Sequence, residues 1–187
     1  MRKVKSISTA MGLVSALWAA PSWAGDPATE GSLQFGLGFR YGAELNEGDL
    51  NPWGTGLGLE GGYTFPIIPI YVGGNAEYFL GGTIESPIGD VESNIWQLSA
   101  EGGYDIGLGD HFVIRPKLGL GYAYSNAESC PPAGDCVSDD EGKPLIAPGA
   151  KFMLILPKFQ LDFDARYAMV TTDPIAKAFI FSIGIGF

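Results

Sequence analysis

The stretch Lys177–Phe187 reads KAFIFSIGIGF. Phe179, Phe181, Ile183, Ile185 and Phe187 occupy every second position, with Ala178, Ile180, Ser182, Gly184 and Gly186 between them. Successive side chains of a β-strand point to opposite faces, so this segment makes a strand with one bulky apolar face and one face of mostly small residues. A soluble protein has little use for such an exposed strand at its end. The expectation is that the bulky face meets lipid.

The same period of two recurs in seven further segments: 32–44, 54–65, 70–81, 94–106, 112–125, 145–156 and 159–170. In the first, Leu33, Phe35, Leu37, Phe39 and Tyr41 alternate with Gln34, Gly36, Gly38, Arg40 and Gly42. In the seventh, Phe159, Leu161, Phe163, Ala165 and Tyr167 alternate with Gln160, Asp162, Asp164 and Arg166. Each run spans roughly ten to thirteen residues, the length a tilted strand needs to cross a bilayer. Connections after the second, fourth and sixth segments are short, and those after the first, third, fifth and seventh are mostly longer. Short periplasmic turns with longer external loops are the outer-membrane pattern, which puts both termini in the periplasm. The fold expected is an all-β, eight-stranded antiparallel up-and-down transmembrane barrel.

Periodicity alone does not say which face is convex, because a soluble lipocalin-like barrel reverses the polarity. Side-chain volume decides. Gly36, Gly38, Gly56, Gly58, Gly62, Gly119 and Gly121 lie on the polar face, while the aromatics lie mainly on the apolar one. The interior of an eight-stranded barrel is only wide enough for side chains to fill it. It accommodates glycines and a few long polar chains, so the aromatic face is the outer one. The aromatics also sort into two levels, as in a membrane protein; Tyr41, Trp53, Tyr78 and Trp96 are assigned to the upper belt.

The N-terminus reads as an export signal. Arg2, Lys3 and Lys5 precede a short apolar run from Ile7 to Ala20, and Ser22-Trp23-Ala24 supplies small residues for cleavage. Residues 1–24 are expected to be a signal peptide and 25–187 the barrel domain. The formal charge of −10 becomes −13 without the three leader cations. That acidity argues against nucleic acid as a partner, since binding to phosphate needs Lys and Arg. Cys130 and Cys136 are the only two cysteines and are expected to close a small disulfide ring on an external loop.

The alternating terminal aromatics, the strand count and the glycine-rich polar face resemble the small eight-stranded outer-membrane barrels, the group of the OmpA transmembrane domain and OmpX. The resemblance covers residues 25–187. It implies a Gram-negative outer-membrane protein, in contact with outer-membrane lipid and lipopolysaccharide, monomeric, and recognised through its C-terminal strand by the barrel-insertion machinery. Nothing after Phe187 corresponds to the peptidoglycan-binding domain of OmpA, so cell-wall tethering is not expected.

The polar face carries the candidate site. Glu60, Glu77, Glu101, Asp105, Asp162 and Asp164 are acidic, and Arg40, Arg115, Lys117, Lys151 and Arg166 are basic. Unpaired charge in a narrow interior is costly, so these residues are expected to form a lumen charge network. Arg115 and Lys117 face Glu101 and Asp105 on the adjacent segment, while Lys151 faces the segment carrying Asp162, Asp164 and Arg166. No cofactor, catalytic group or metal cluster is expected. Barrel enzymes acting on lipid A use a histidine near the outer rim, whereas the sole histidine, His111, falls in a short turn. The function expected is structural or surface-interacting, with acidic loops on a plugged barrel. The alternative is a narrow porin-like or OmpW-like route for small solutes.

Overall fold

A computed structural model describes residues 32–45, 53–86, 89–130, 136–172 and 176–187. The chain is all-β. Its strands are β1 (Ser32–Glu44), β2 (Gly54–Thr64), β3 (Ile70–Ser86), β4 (Gly89–Tyr104), β5 (Ile106–Gly107), β6 (Phe112–Cys130), β7 (Val137–Ile155), β8 (Gln160–Val170) and β9 (Ala176–Gly186). β4 and the short β5 both pair with β6 and are interrupted only at Asp105, so together they make one stave. Every pairing is antiparallel, and β1 pairs with both β2 and β9, which closes an eight-stranded up-and-down barrel. Closure removes the sheet edge that hydrocarbon would not tolerate.

One end of the barrel carries the short connections, among them Phe65–Pro69 and 108–111; the other carries the long hairpins. These are the turn end and the loop end below. The turn at 108–111 reverses at Gly109, whose φ of +86° lies in the left-handed region open to glycine. His111 is exposed in that turn.

The outward face is apolar, as the volume argument requires. Phe39 is 70% exposed, Leu98 64%, Leu120 55% and Phe181 52%, each alternating with a more enclosed neighbour. For an outer-membrane barrel this face is solvated by lipid tails, so its exposure carries no penalty. Tyr78 and Trp96 pair at 4.5 Å between ring centroids on this face near the loop end.

Two hairpins exceed their expected lengths. β3 and β4 stay paired from Thr83↔Glu92 to Ser86↔Gly89, past a register shift between Leu80 and Thr83. β6 and β7 stay paired to Ser129↔Val137. Residues 82–93 and 126–144 read as loops because they show no sustained apolar alternation. The apolar alternation lapses there although the hydrogen-bond ladder continues. β4 and β6 also pair as far as Asp90↔Cys130. The strands β3, β4, β6 and β7 therefore form one four-stranded sheet reaching beyond the pairings of β1, β2, β8 and β9.

Candidate functional site in the barrel lumen

Period two sends Arg40, Glu60, Glu77, Glu101, Arg115, Lys117, Lys151, Asp162, Asp164 and Arg166 inward from the staves, and Asp105 joins them from the break between β4 and β5. All are buried except Glu60, which is largely enclosed. Their pairing follows two levels, with an apolar layer beyond them.

Nearest the turn end, Arg115 is the hub. Its Nε donates to Asp105 Oδ1 at 2.5 Å and its Nη2 to Asp105 Oδ2 at 2.8 Å, a two-pronged grip. Nη2 also donates to Gln34 Oε1 at 2.9 Å, and Thr64 Oγ1 donates to Asp105 Oδ2 at 2.9 Å. The guanidinium lies 3.7 Å from the centroid of the Tyr71 ring. That ring occupies the space above Gly62 and Gly73, where any Cβ would collide with it.

At the waist, Lys117 Nζ donates to both Glu101 oxygens at 3.1 Å and pairs with Asp164. Arg166 pairs with Glu77 and reaches Glu101 at 3.6 Å. Arg40 Nε donates to Glu77 Oε1 at 2.6 Å and lies 3.9 Å from Glu60. Lys151 pairs with Glu60 and lies 3.7 Å from Asp162. To reach Glu77 from β1, Arg40 crosses β2 at Gly58, where a Cβ would stand 2.7 Å from its Nε. Glycine on the inner face is thus the floor on which the long chains lie.

Nearest the loop end the lumen turns apolar. Trp53, Phe79, Ile95, Leu145, Val170 and Ile180 pack with small alanines into a buried cluster. Trp53 and Phe79 meet edge to face at 5.6 Å between centroids. The assignment of Trp53 to the lipid-facing belt is corrected here: it is 1% exposed and turned inward. It stands just before β2, where strand parity does not yet constrain it, and the absence of a Cβ at Gly42 gives it room.

Some partners were readable in sequence and others were not. Arg115 meets Asp105, and Lys117 meets Glu101, on the adjacent stave. Lys151 reaches across to Glu60, and Arg166 to Glu77; each pair joins staves four places apart in a ring of eight, on opposite walls. Gln34, Thr64, Tyr71 and Asn75 also join the network, Asn75 by donating to Glu101 Oε1 at 3.4 Å. Parity marks these residues as inward, but nothing in their neutrality marks them as partners. The segment between Cys130 and Cys136, like residues 1–31, lies outside the described residues. Among the described residues no cysteine is free and no cluster of His, Cys, Asp and Glu could hold a metal.

A closed antiparallel barrel with a lipid-compatible exterior and a charged interior defines a small transmembrane β-barrel protein. The chain belongs to the outer membrane protein beta-barrel domain family, whose model matches residues 9–187. No curated protein matches it in sequence. In fold it is similar to Ail, the attachment invasion locus protein of Yersinia pestis, solved with the heparin analogue sucrose octasulfate. That likeness has 19% identity and a TM-score of 0.61, covering 85% of this chain and 100% of that one. A major outer membrane protein of Thermus thermophilus is similar at 11% identity and a TM-score of 0.65, covering 83% and 99% of the two chains. Neisserial surface protein A is similar at 14% identity and a TM-score of 0.52, covering 83% and 97%.

Proposed function

We propose that this chain is a structural and surface-interaction protein of the Gram-negative outer membrane: a monomeric barrel whose filled lumen acts as a plug and whose long hairpins are its working surface. The observation that carries this reading is the sheet formed by β3, β4, β6 and β7, which continues past the other four staves. A ladder that outlasts its lipid-facing residues extends into water, where it serves recognition rather than anchoring. Its sequence is acidic, with Glu85, Asp90, Glu92, Glu128, Asp139, Asp140 and Glu141. A disulfide between Cys130 and Cys136 would stiffen its tip.

In this reading residues 1–24 are a signal peptide removed on export and both termini face the periplasm. The loop end faces outward among lipopolysaccharide, and the strand ending at Phe187 is read by the insertion machinery. The protein takes no cofactor, binds no nucleic acid and catalyses no reaction. The plug is supported by two layers in series, the ion pairs at the waist and the apolar cluster above them.

Planar-bilayer recording of the purified protein tests the plug, with current at background as the expected result; steady unitary steps would overturn it. Replacing residues 126–140 by a tight turn tests the surface. Heat-modifiable mobility should persist while cell attachment to solid or cellular surfaces is lost, and unchanged attachment would sink the role. A narrow solute route is the second reading, favoured by buried polar atoms that find no protein partner: Asn75 Oδ1, Gln97 Nε2, Asp162 Oδ1, Asp164 Oδ1 and Arg166 Nε. Such atoms suit water, which a conducting lumen would supply.

A further inference from the structure

At the turn end, one connection carries apolar side chains where a water-facing turn would carry polar ones. Ile67 is 92% exposed and Ile68 53%, in the connection Phe65–Pro69 between β2 and β3. Pro66 and Pro69 flank the pair. The Ile70 N–H donates to the Ile68 carbonyl at 2.5 Å, the two-residue span of a γ-turn centred on Pro69. Proline fixes its own φ, so the turn is stiff and the isoleucines are held outward.

The neighbouring connection adds to this surface. The Asp105 N–H donates to the Pro69 carbonyl at 2.7 Å, which locks the two turns side by side. Leu108 in the second is 51% exposed and Ile106, leading into it, 44%. Asp105, between the two turns, points inward to Arg115, and the exposed Asp110 and His111 follow Leu108 in the second turn. The patch runs without a polar break into the lipid-facing wall at Phe65, Ile70 and Ile106, all exposed. The connection between β7 and β8 contrasts with Phe65–Pro69, for it carries the exposed Lys158.

We propose that the turn at Ile67–Ile68, with the Leu108 side chain beside it, is seated in the membrane, at the boundary between acyl chains and headgroups, so that the barrel is embedded more deeply there than at Lys158. The occupant of the patch is the lipid leaflet itself. Continuity with the wall argues for this, since an apolar surface joined directly to one already in lipid is covered by moving the membrane edge a short way along it. This needs only that the outer wall meets lipid, and stands whether or not the lumen is plugged or the hairpins bind a partner.

Site-directed spin labelling in phosphatidylcholine vesicles tests it, in full-length mature protein carrying Cys130→Ser and Cys136→Ser. Labels at Ile67→Cys, Leu108→Cys and Lys158→Cys are compared for collision with oxygen, which partitions into lipid, and with a water-soluble nickel chelate. The ratio of oxygen to nickel accessibility should be severalfold higher at positions 67 and 108 than at 158. Should Ile67→Cys fail to show the heat-modifiable folded band, Ile68→Cys takes its place. Equal ratios at all three positions would overturn the proposal, as would a label at 67 shielded from both reagents, which would mark a protein partner.

Discussion

Arg166 on β8 and Glu77 on β3 meet across the full width of the lumen, from staves on opposite walls. Glu77 also accepts from Arg40 Nε at 2.6 Å, so one carboxylate holds two guanidiniums. Removing one partner of a buried ion pair strands the other, at a cost of about 3–5 kcal/mol. Glu77→Ala should destabilise the barrel by that order, because two cations lose their nearest partner together. The triple variant Arg40→Met, Glu77→Leu, Arg166→Met removes these three charges at once, leaving Glu60 with Lys151 and Glu101 with Lys117, and should recover most of the loss. Urea unfolding in phospholipid vesicles, followed by tryptophan fluorescence, measures both; a triple variant no more stable than Glu77→Ala would refute the account.

Arg115 should not tolerate lysine. Its planar fork grips both Asp105 oxygens while its face lies on Tyr71, and an ammonium reproduces neither geometry. Charged hydrogen bonds contribute about 1.5–3 kcal/mol each, so Arg115→Lys should cost on the order of 2 kcal/mol despite the unchanged charge. Equal unfolding midpoints for the two proteins would show that charge alone suffices.

Inner and outer glycines should respond oppositely to added volume. A Cβ at Gly73 would strike the Tyr71 ring and stand 2.7 Å from the Gly61 carbonyl oxygen, whereas one at Gly102 meets nothing within 4 Å. Gly73→Val is expected to cost about 1–3 kcal/mol through overpacking. Gly102→Ala, on the lipid side, should lie within about 0.5 kcal/mol of the parent. The same unfolding assay separates them, and matched losses would mean that strand propensity, not lumen volume, sets glycine usage.

The fold was legible because lipid imposes one strict rule along the strands. Every second residue from Leu33 to Tyr41 and from Phe179 to Phe187 had to be apolar, so strand number, wall polarity and closure followed from parity. Inward residues were legible for the same reason: Arg40, Glu77 and Arg166 lie on the polar face by counting. Their partners were not. Adjacent staves share a register that local sequence suggests, which is why Arg115 with Asp105 and Lys117 with Glu101 could be read. Lys151 with Glu60 depends on barrel diameter and strand stagger, which no local pattern encodes. The long hairpins hid for the opposite reason, since the apolar alternation lapses in them while the ladder continues. Trp53 escaped because it sits outside a strand, where an aromatic residue turns inward or outward according to the space its neighbours leave.

Trp53 gives the last test, because it separates stability from sealing. Its ring is buried against Phe79 in the apolar layer nearest the loop end. Trp53→Ala should cost about 3–5 kcal/mol, the range for truncating a large buried aromatic. It should leave bilayer conductance at background, because the ion pairs at the waist remain as a second barrier in series. Arg115→Ala with Lys117→Ala should likewise not conduct, since the apolar layer above is untouched. Only a variant lacking both layers, such as Trp53→Ala combined with Glu77→Ala and Lys151→Ala, should pass ions. Single-channel recording on the three proteins decides the matter: steps from Trp53→Ala alone would place the whole seal in the apolar layer, and steps from the charge variant alone would place it at the waist.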